Sequence, residues 1–262
     1  MNKMVDLCTT DISISVVSHL QIALVAALLR DLEDHCKDSH FELILTLNRD
    51  EKLPFDLHGF RYPIQLVRNN VPTGFAANHN QAFNYATGRY FCVMNPDIRL
   101  RGNPFTALLA CCGDSSVGVA APLVLGATGA VEDSARRFPS PFKILCKAFG
   151  KCRAPDYAIA NVPIYPDWVA GMFMLFPRAI FERLGGFDEH YFLYYEDVDI
   201  CARLRLMGYQ AMLCPRAIVE HHAQRSSHRN FRFWRLHLSS MVRFFLSPVY
   251  WRIQFRPKAA GR

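Results

Sequence analysis

Three carboxylates, Glu196, Asp197 and Asp199, stand beside Phe192, Tyr194 and Tyr195 in the stretch FLYYEDVDICARLRLMGY, where helical spacing begins. Solvated acidic faces seldom carry so many aromatics. Carboxylates in a first helical turn balance the positive end of the helix dipole. One that faces a cleft can instead accept the proton of a reacting hydroxyl. The aromatics suit either sugar rings or core packing. Packing is the expected role of Phe192, and helix-terminal charge that of Asp199.

A fourth carboxylate, Asp97, lies in MNPDIRL, directly after the apolar run YFCVM. Open α/β sheets bind ligands at the carboxyl ends of their strands. A carboxylate there can hold a hard divalent cation against a diphosphate, although Asn95-Pro96-Asp97 is also an ordinary turn sequence. Either His221 or His222, in PRAIVEHHAQRSS, can complete such a metal site or stand as a plain polar residue. Arg136 and Arg137 in RRFP suit a phosphate or an acceptor. In RNNVPTGFAANHNQAF, Gly74 allows a tight turn before a helix whose N-terminus offers free N–H groups to an anion. Asn78 and Asn80 are placed to line the same mouth. The stretch is neither a P-loop nor a GxGxxG fingerprint.

The elements that must carry these residues alternate. Strands are expected at Ile12–Ser18, Phe41–Leu47, Ile64–Arg68 and Tyr90–Met94, with a further one at Val117–Leu125. Helical spacing covers Leu20–Leu32 and Phe75–Ala86, the latter ending at Gly88. Gly126–Pro166 reads as a long, partly irregular connection. Trp168–Phe176 reads as a strand, Pro177–Leu184 as a helix stopped by Gly185-Gly186, Glu196–Met207 as a helix closed by Gly208, and Gln210–Cys214 as a short last strand. This is a parallel α/β pattern.

The chain has 262 residues, 51% of them hydrophobic and 20% charged, which allows a sizeable core and excludes extended disorder. Its nine cysteines show no CxxC pair, so a zinc knuckle is not expected; they read as reduced, buried thiols of a cytoplasmic protein. No signal peptide is evident, and the longest apolar stretch, Ile12–Leu29, is interrupted by polar residues. The net charge of +7 gathers late. Arg225, Arg229, Arg232, Arg235, Arg243, Arg252, Arg256, Lys258 and Arg262 interleave with Phe231, Phe233, Trp234, Phe244, Phe245, Tyr250, Trp251 and Phe255. Such a segment suits an anionic membrane surface, or a helix packed on the core with its arginines in water. Nucleic acid is not the expected partner.

Taken in order, ISVVSH, GFAANHNQAF, NPDIRL, RRFP, WVAGMFMLFPRAIFERLGGFDEHYFLYYEDVDICARLRLMGY and PRAIVEHH resemble the family 2 glycosyltransferases. Within them the likeness is to bacterial rhamnosyltransferases of O-antigen and surface-polysaccharide assembly. It runs from about Ile12 to about Ser227, and its most specific part is GGFDE-x-x-F-x-Y-x-EDVD-x-C-x-R. The resemblance implies a GT-A fold, that is, a Rossmann-like mixed sheet with flanking helices, here followed by a helical, basic C-terminal segment. Residues 1–225 would form the glycosyltransferase domain, about 10–100 binding the nucleotide sugar and about 101–225 the acceptor, with 226–262 as a membrane-surface attachment. It implies Mg²⁺ or Mn²⁺ held by Asp97 and His221, and Asp197 as general base of an inverting transfer. Donor contacts are expected from Ser18, His19, Asn48, Gly74, Phe75, Asn80, Asn95 and Asp97. Acceptor or phosphate contacts are expected from Arg136, Arg137, Trp168, Gly171, Tyr195 and Glu196. The implied partners are a nucleoside diphosphate sugar of the dTDP-rhamnose type and a lipid-linked sugar acceptor, met by a cytoplasmic enzyme at the inner membrane. Two departures stand out: Leu47 falls where relatives carry a base-binding Asp, leaving Asn48 or Asp50 nearby, and Ser18-His19 replaces a common Tyr-Asn. A nucleotidyltransferase or phosphohydrolase would want more carboxylates around its metal. A nucleic-acid-binding protein would leave the EDVD block unexplained.

Overall fold

The computed structural model describes residues 10–148, 154–222 and 231–255. The elements run β1 (Ile12–Ser18), α1 (Ile22–His35), β2 (Phe41–Leu47), β3 (Ile64–Arg68), α2 (Phe75–Phe83), β4 (Tyr90–Met94), β5 (Ile98–Leu100), α3 (Phe105–Cys112) and β6 (Val117–Gly126). They continue with β7 (Ala135–Arg136), α4 (Pro141–Ala148), β8 (Trp168–Val169), β9 (Phe173–Pro177), α5 (Arg178–Leu184), α6 (Glu196–Leu206), β10 (Gln210–His221), α7 (Phe231–Leu246) and α8 (Pro248–Gln254).

One eight-stranded sheet has the order β3-β2-β1-β4-β9-β6-β10-β5, and β7 with β8 forms a separate pair. Strands β3, β2, β1 and β4 are parallel, so their carboxyl ends share one rim: Ser18 is opposite Leu47, and Leu47 opposite Arg68. The sheet turns mixed where β9 lies antiparallel to β4, with Met94 opposite Phe173. β1, β2 and β4 are buried along almost their whole length because helices cover both faces of the sheet. Ile14, Leu28, Phe105 and Leu175 fill one side, and Phe91, Phe176, Phe181 and Val198 the other. On the second side Phe91, Phe176, Phe181 and Phe187 pack ring to ring, Phe181 lying 4.8 Å from Phe91 and 5.1 Å from Phe176.

Several expected boundaries move, and two of the moves serve the site. The expected strand Trp168–Phe176 is broken at Ala170–Met172, where the chain leaves the ladder beside Gly171. The expected strand Gln210–Cys214 continues to His221 across a register shift between Cys214 and Ile218, the stretch that contains Pro215. The long connection after Gly126 contains β7 and α4. Helix α5 stops at Gly185 and Gly186, with φ of 72° and 73° in the left-handed region that glycine adopts without strain. Between Phe231 and Gln254 the C-terminal segment is helical, and it is joined to the core: Phe244 and Tyr250 are buried. Cys8, Cys152, Arg225, Arg229, Arg256, Lys258 and Arg262 lie outside the described residues.

Candidate active site

The carboxyl-end rim is built from short polar side chains that tie one loop to the next. Asn48, at the end of β2, is the hub. Its Oδ1 accepts from Thr73 N (2.8 Å) and Asn69 Nδ2 (2.9 Å), and its Nδ2 donates to Thr73 O (2.9 Å) and sits 3.2 Å from His19 Nδ1. Asn48 and His19 thus join the ends of β1, β2 and β3 at the position expected for a nucleotide base. Leu47 is buried in the core, and Asp50 is solvent-exposed with Arg68 at 3.7 Å, so neither replaces Asn48 at the hub. Ser18 is fully buried, and its hydroxyl donates to Glu51 Oε1 at 2.7 Å. Glu51, absent from the sequence-based candidates, also accepts from Leu20 N and Ile22 N, at 2.8 and 2.9 Å. It fixes the β1–α1 loop from below.

Gly74 plays a different part from the one expected. Its φ is −72°, so no unusual turn is needed. A Cβ there would meet Phe192 O at 2.6 Å and Phe192 Cα at 2.9 Å. The loop before α6 crosses the start of α2 at van der Waals contact, and Phe75 N donates to Phe192 O at 2.9 Å. The first N–H of α2 is therefore occupied by protein and not offered to an anion. Asn78 is buried and donates to Thr73 O and Gly74 O, at 3.2 and 2.8 Å. Asn80 also spends its amide on protein: its Oδ1 accepts from Phe187 N and its Nδ2 donates to Phe187 O and Glu189 Oε1, each at 2.9 Å. It staples α2 to the GGFDE turn. Phe75 does reach the rim, its ring lying 3.5 Å from where a Cβ of Gly171 would be.

The turn that holds Asp97 and the turn that holds Asp197 lie together at the ends of β4 and β9. Asn95 N donates to Met172 O at 2.9 Å, and the neighbouring Gly171 N donates to Asp197 Oδ2 at 3.0 Å. Two hydrogen bonds thus connect the NPD turn to the first turn of α6. The break between β8 and β9 frees the Gly171 N–H for this contact. Asp197 Oδ1 also accepts from Val198 N at 2.8 Å. Burial raises the Asp197 pKa above the usual carboxylate range, and the Gly171 and Val198 N–H groups and the charge of Arg136 hold it back. Glu196 is driven much further up by burial and by the neighbouring Asp197, and its Oε2 has no partner among the described residues, which marks it as the neutral member of the pair. It is buried.

The helix entrance is strained. Tyr194 and Tyr195 both have positive φ, 69° and 70°, a conformation that costs roughly 1–3 kcal/mol per non-glycine residue. Tyr195 is buried. Asp199 is more than a dipole partner: Arg203 Nε donates to it at 2.7 Å, and the same guanidinium donates to Leu184 O and Gly186 O.

His221 stands 3.2 Å from Asp97 Oδ2 through Nε2 and 2.8 Å from Glu132 Oε2 through Nδ1. Burial opposes its charge, but Asp97 and then Glu132 outweigh burial and raise its pKa to about 9. The His222 ring turns toward Glu220 at 3.2 Å while its backbone N–H donates to Asp97 O at 2.9 Å, so of the two rings that of His221 faces the Asp97 carboxylate. Asp97 Oδ1 is buried without a partner among the described residues, which fits an oxygen reserved for a ligand. Among the described residues no group of three or more His, Cys, Asp or Glu gathers to hold a metal. Asp97 and His221 are a pair, and Glu132, on the far nitrogen, is their orienting partner. Two protein ligands fit a hard cation whose other ligands come from a diphosphate and water.

Of the remaining expected contacts, Arg136 lies with its guanidinium 5.3 Å from the Trp168 ring and is bound to Asp133 O at 2.8 Å, within electrostatic reach of Asp197. Trp168 is largely buried and spends its indole N–H on Arg137 O at 3.1 Å, so it supports the site from behind. Arg137 is exposed, its guanidinium 5.7 Å from the Tyr157 ring. A cavity of about 760 Å³ runs from the end of β3 along α2 to the Gly185-Gly186 turn; Asn69, Thr73, Asn80 and Glu182 are among the residues that line it.

A half-parallel sheet with an acidic turn after β4 and a carboxylate-bearing helix after β9 defines a GT-A glycosyltransferase. A family model described as glycosyl transferase family 21 matches residues 63–249, and the chain belongs to that family. It is 28% identical over 244 residues to rhamnosyltransferase WbbL of Escherichia coli K12, covering 88% of this chain and 91% of that protein. It is 32% identical over 148 residues to the N-acetylglucosaminyl-diphospho-decaprenol L-rhamnosyltransferase of Mycobacterium tuberculosis, covering 53% of this chain and 48% of that one. Among solved structures, GalNAc-T7 with UDP, GalNAc and Mn²⁺ superposes with a TM-score of 0.68 at 15% identity, over 92% of this chain and 48% of that chain. The Pyrobaculum calidifontis mannosyltransferase PcManGT, with GDP-Man and Mn²⁺, gives 0.63 at 18%, over 97% and 67%. The likeness to rhamnosyltransferases and the GT-A fold are thereby borne out, and the matching family model is that of family 21.

Proposed function

We propose that the chain transfers a sugar, of the rhamnose class from a dTDP-linked donor, to a hydroxyl of a lipid-linked or polysaccharide acceptor, with inversion and with Mg²⁺ or Mn²⁺. The observation that carries this reading is the connection of Asp97 to Asp197 through Asn95, Met172 and Gly171. A leaving diphosphate and an attacking hydroxyl need opposite groups in one cleft. The names of the two relatives favour a rhamnosyl donor, and that of the mycobacterial protein favours a diphospho-polyprenol acceptor.

In this reading residues of about 10–100 hold the nucleotide sugar, with Asn48 and His19 at the base and Phe75 and Asn95 nearer the sugar. Residues of about 101–225 receive the acceptor, with Arg136 and Arg137 toward phosphate. Asp197 takes the acceptor O–H proton as the new C–O bond forms. The anomeric C–O bond to the diphosphate breaks with its electron pair staying on the nucleoside diphosphate. A single base opposite the leaving group gives inversion. Asp97 and His221 would hold the cation, which supplies charge to neutralise the leaving diphosphate. The raised Asp197 pKa brings a base closer to working pH. The segment 226–262 places the enzyme on the cytoplasmic face of the inner membrane. The sparse acidic set around Asp97 argues against a nucleotidyltransferase.

The test is release of nucleoside diphosphate from a panel of nucleotide sugars, with Mn²⁺ and a lipid-linked sugar acceptor. Asp197→Asn is expected to lower turnover by roughly 10²–10⁴-fold, the usual contribution of a positioned base, while donor binding stays intact. Wild-type turnover by Asp197→Asn would refute the assignment.

A further inference from the structure

Helix α7 has two apolar sides. Its inner side closes on the catalytic turn. His237 lies 5.3 Å from the ring of Tyr194 and 5.5 Å from that of Tyr195, and Phe244 lies 5.7 Å from Tyr195. Ser240 Oγ donates to Leu193 O at 2.9 Å. These groups support the two positive-φ residues from which Asp197 is held. The outer side is a stripe of Phe231, Trp234, Leu238, Val242 and Leu246, all solvent-exposed and spaced by three or four residues along one helix face. Trp251 and Phe255 of the following turn are exposed too, and stack at 6.2 Å.

A large exposed apolar stripe marks an interaction surface, and the charges around it identify the partner. From His221 to the last residue there are eight arginines and one lysine, and no aspartate or glutamate. Arg235, Arg243 and Arg252 are exposed within or beside the stripe. Apolar and indole side chains flanked by cations match a bilayer surface with anionic headgroups. Among the described residues no helix is long and apolar enough to cross a membrane, so α7 would lie in the interface plane.

We propose that α7 seats its outer stripe in an anionic bilayer surface, and that this seating steadies the Tyr194–Tyr195 turn that positions Asp197. The proposal deepens the transferase reading above and rests on it for the role of Asp197. Its physical basis is linkage. A helix of 16 residues is marginal alone in water, and the lipid binds only its formed, amphipathic state. The contacts of His237, Ser240 and Phe244 with the turn exist only in that same state. Lipid contact and an ordered catalytic turn therefore favour each other.

The test uses the full chain and vesicles that contain no acceptor, either equal parts phosphatidylglycerol and phosphatidylcholine or phosphatidylcholine alone. The protein is expected to pellet with the anionic vesicles, and its affinity for neutral ones should be lower by about fivefold per exposed arginine. Hydrogen exchange is expected to slow on lipid binding in both 231–246 and 190–200. The exposed-stripe variant Leu238→Ser/Val242→Ser/Leu246→Ser should lose affinity by about tenfold per side chain. The charge variant Arg235→Gln/Arg243→Gln/Arg252→Gln leaves the apolar side chains in place and should lose the preference for anionic vesicles. Wild-type protein that stays in the supernatant, or variants that pellet as wild type does, would overturn the docking face. Self-association through the stripe without vesicle binding would overturn it as well. Slowed exchange in 231–246 with none in 190–200 would overturn the coupling. None of these readouts needs a sugar donor, so failure of the transferase reading shows separately in the turnover assay.

Discussion

Gly74→Ala is the sharpest probe of how the site is assembled. The added Cβ would lie 2.6 Å from Phe192 O and 2.9 Å from Phe192 Cα, both backbone atoms that no rotamer change can clear. The loop must move by several tenths of an ångström, which costs about 1–3 kcal/mol as overpacking. The Phe75 N to Phe192 O hydrogen bond is then stretched or lost, worth about 0.5–1.5 kcal/mol more. A stability loss of about 2–4 kcal/mol follows, or a melting point lower by roughly 5–10 °C for a chain of this size. Because the displaced loop leads through Tyr194 and Tyr195 into Asp197, kcat is expected to fall by about tenfold to a hundredfold, with donor affinity changing less. Thermal unfolding, calorimetric donor binding and turnover measure the three quantities. Gly102→Ala is the control, since nothing lies within 4 Å of its added methyl. A Gly74→Ala protein with the melting point and kcat of the wild type would show that the loop does not rest on this glycine, and the assembly argued here would fail.

Asn80→Ala should cost about 1–3 kcal/mol by urea unfolding, because it strips the buried backbone of Phe187 of both partners. His79 is buried against Ser15 Oγ at 2.7 Å, and burial lowers its pKa to about 3. The unfolded chain takes up this proton first, near pH 6.5, so stability is full above that pH. It is lost as pH falls toward 3, by at most about 1.4 kcal/mol per unit. His79→Gln should flatten that part of the pH–stability curve, and an unchanged slope would contradict the assignment. Chelation of divalent ions should abolish turnover and added Mn²⁺ or Mg²⁺ restore it. His221→Ala should raise the metal concentration needed by about tenfold or more, read from metal titrations of donor binding as well as of rate.

Much of the frame was legible because periodicity and burial agree. ISISVVS, FELILTL and YFCVM are buried on both faces, and each forms the strand expected of it, residue for residue. What was not legible depends on contacts between distant segments. Gly74 reads locally as a turn former, yet its requirement comes from Phe192, far along the chain. Asn80 looks like a ligand-facing amide until the backbone of Phe187 is placed beside it. Glu51 and Glu132 carry no motif; only the fold brings one under the β1–α1 loop and the other onto His221. The break that exposes the Gly171 N–H is hidden in WVAGMFMLFP, where apolar residues run on either side of the glycine. The signal available was the glycine itself, since an isolated glycine in a strand pattern often marks an interruption.

The three carboxylates of EDVD show why residue type alone does not assign a role. All three occupy the first turn of one helix and feel the same dipole, yet their surroundings separate them. Asp199 meets Arg203 at 2.7 Å and becomes part of a structural ion pair that fastens the Gly185-Gly186 turn. Glu196 enters the core with an oxygen left unpartnered, and burial makes its charged form the costlier one. Only Asp197 keeps partial access to solvent while two backbone N–H groups stabilise its anion. A neutral Glu196 next to an ionised Asp197 avoids two adjacent buried charges, and the proton held on one acid keeps the other free to accept. Glu196→Gln preserves that neutral neighbour, so it should leave the fold within about 1 kcal/mol of wild type and retain turnover. Glu196→Gln inactive at unchanged stability would mean that Glu196 itself exchanges a proton in the reaction, and the division of labour between the two acids would have to be reversed.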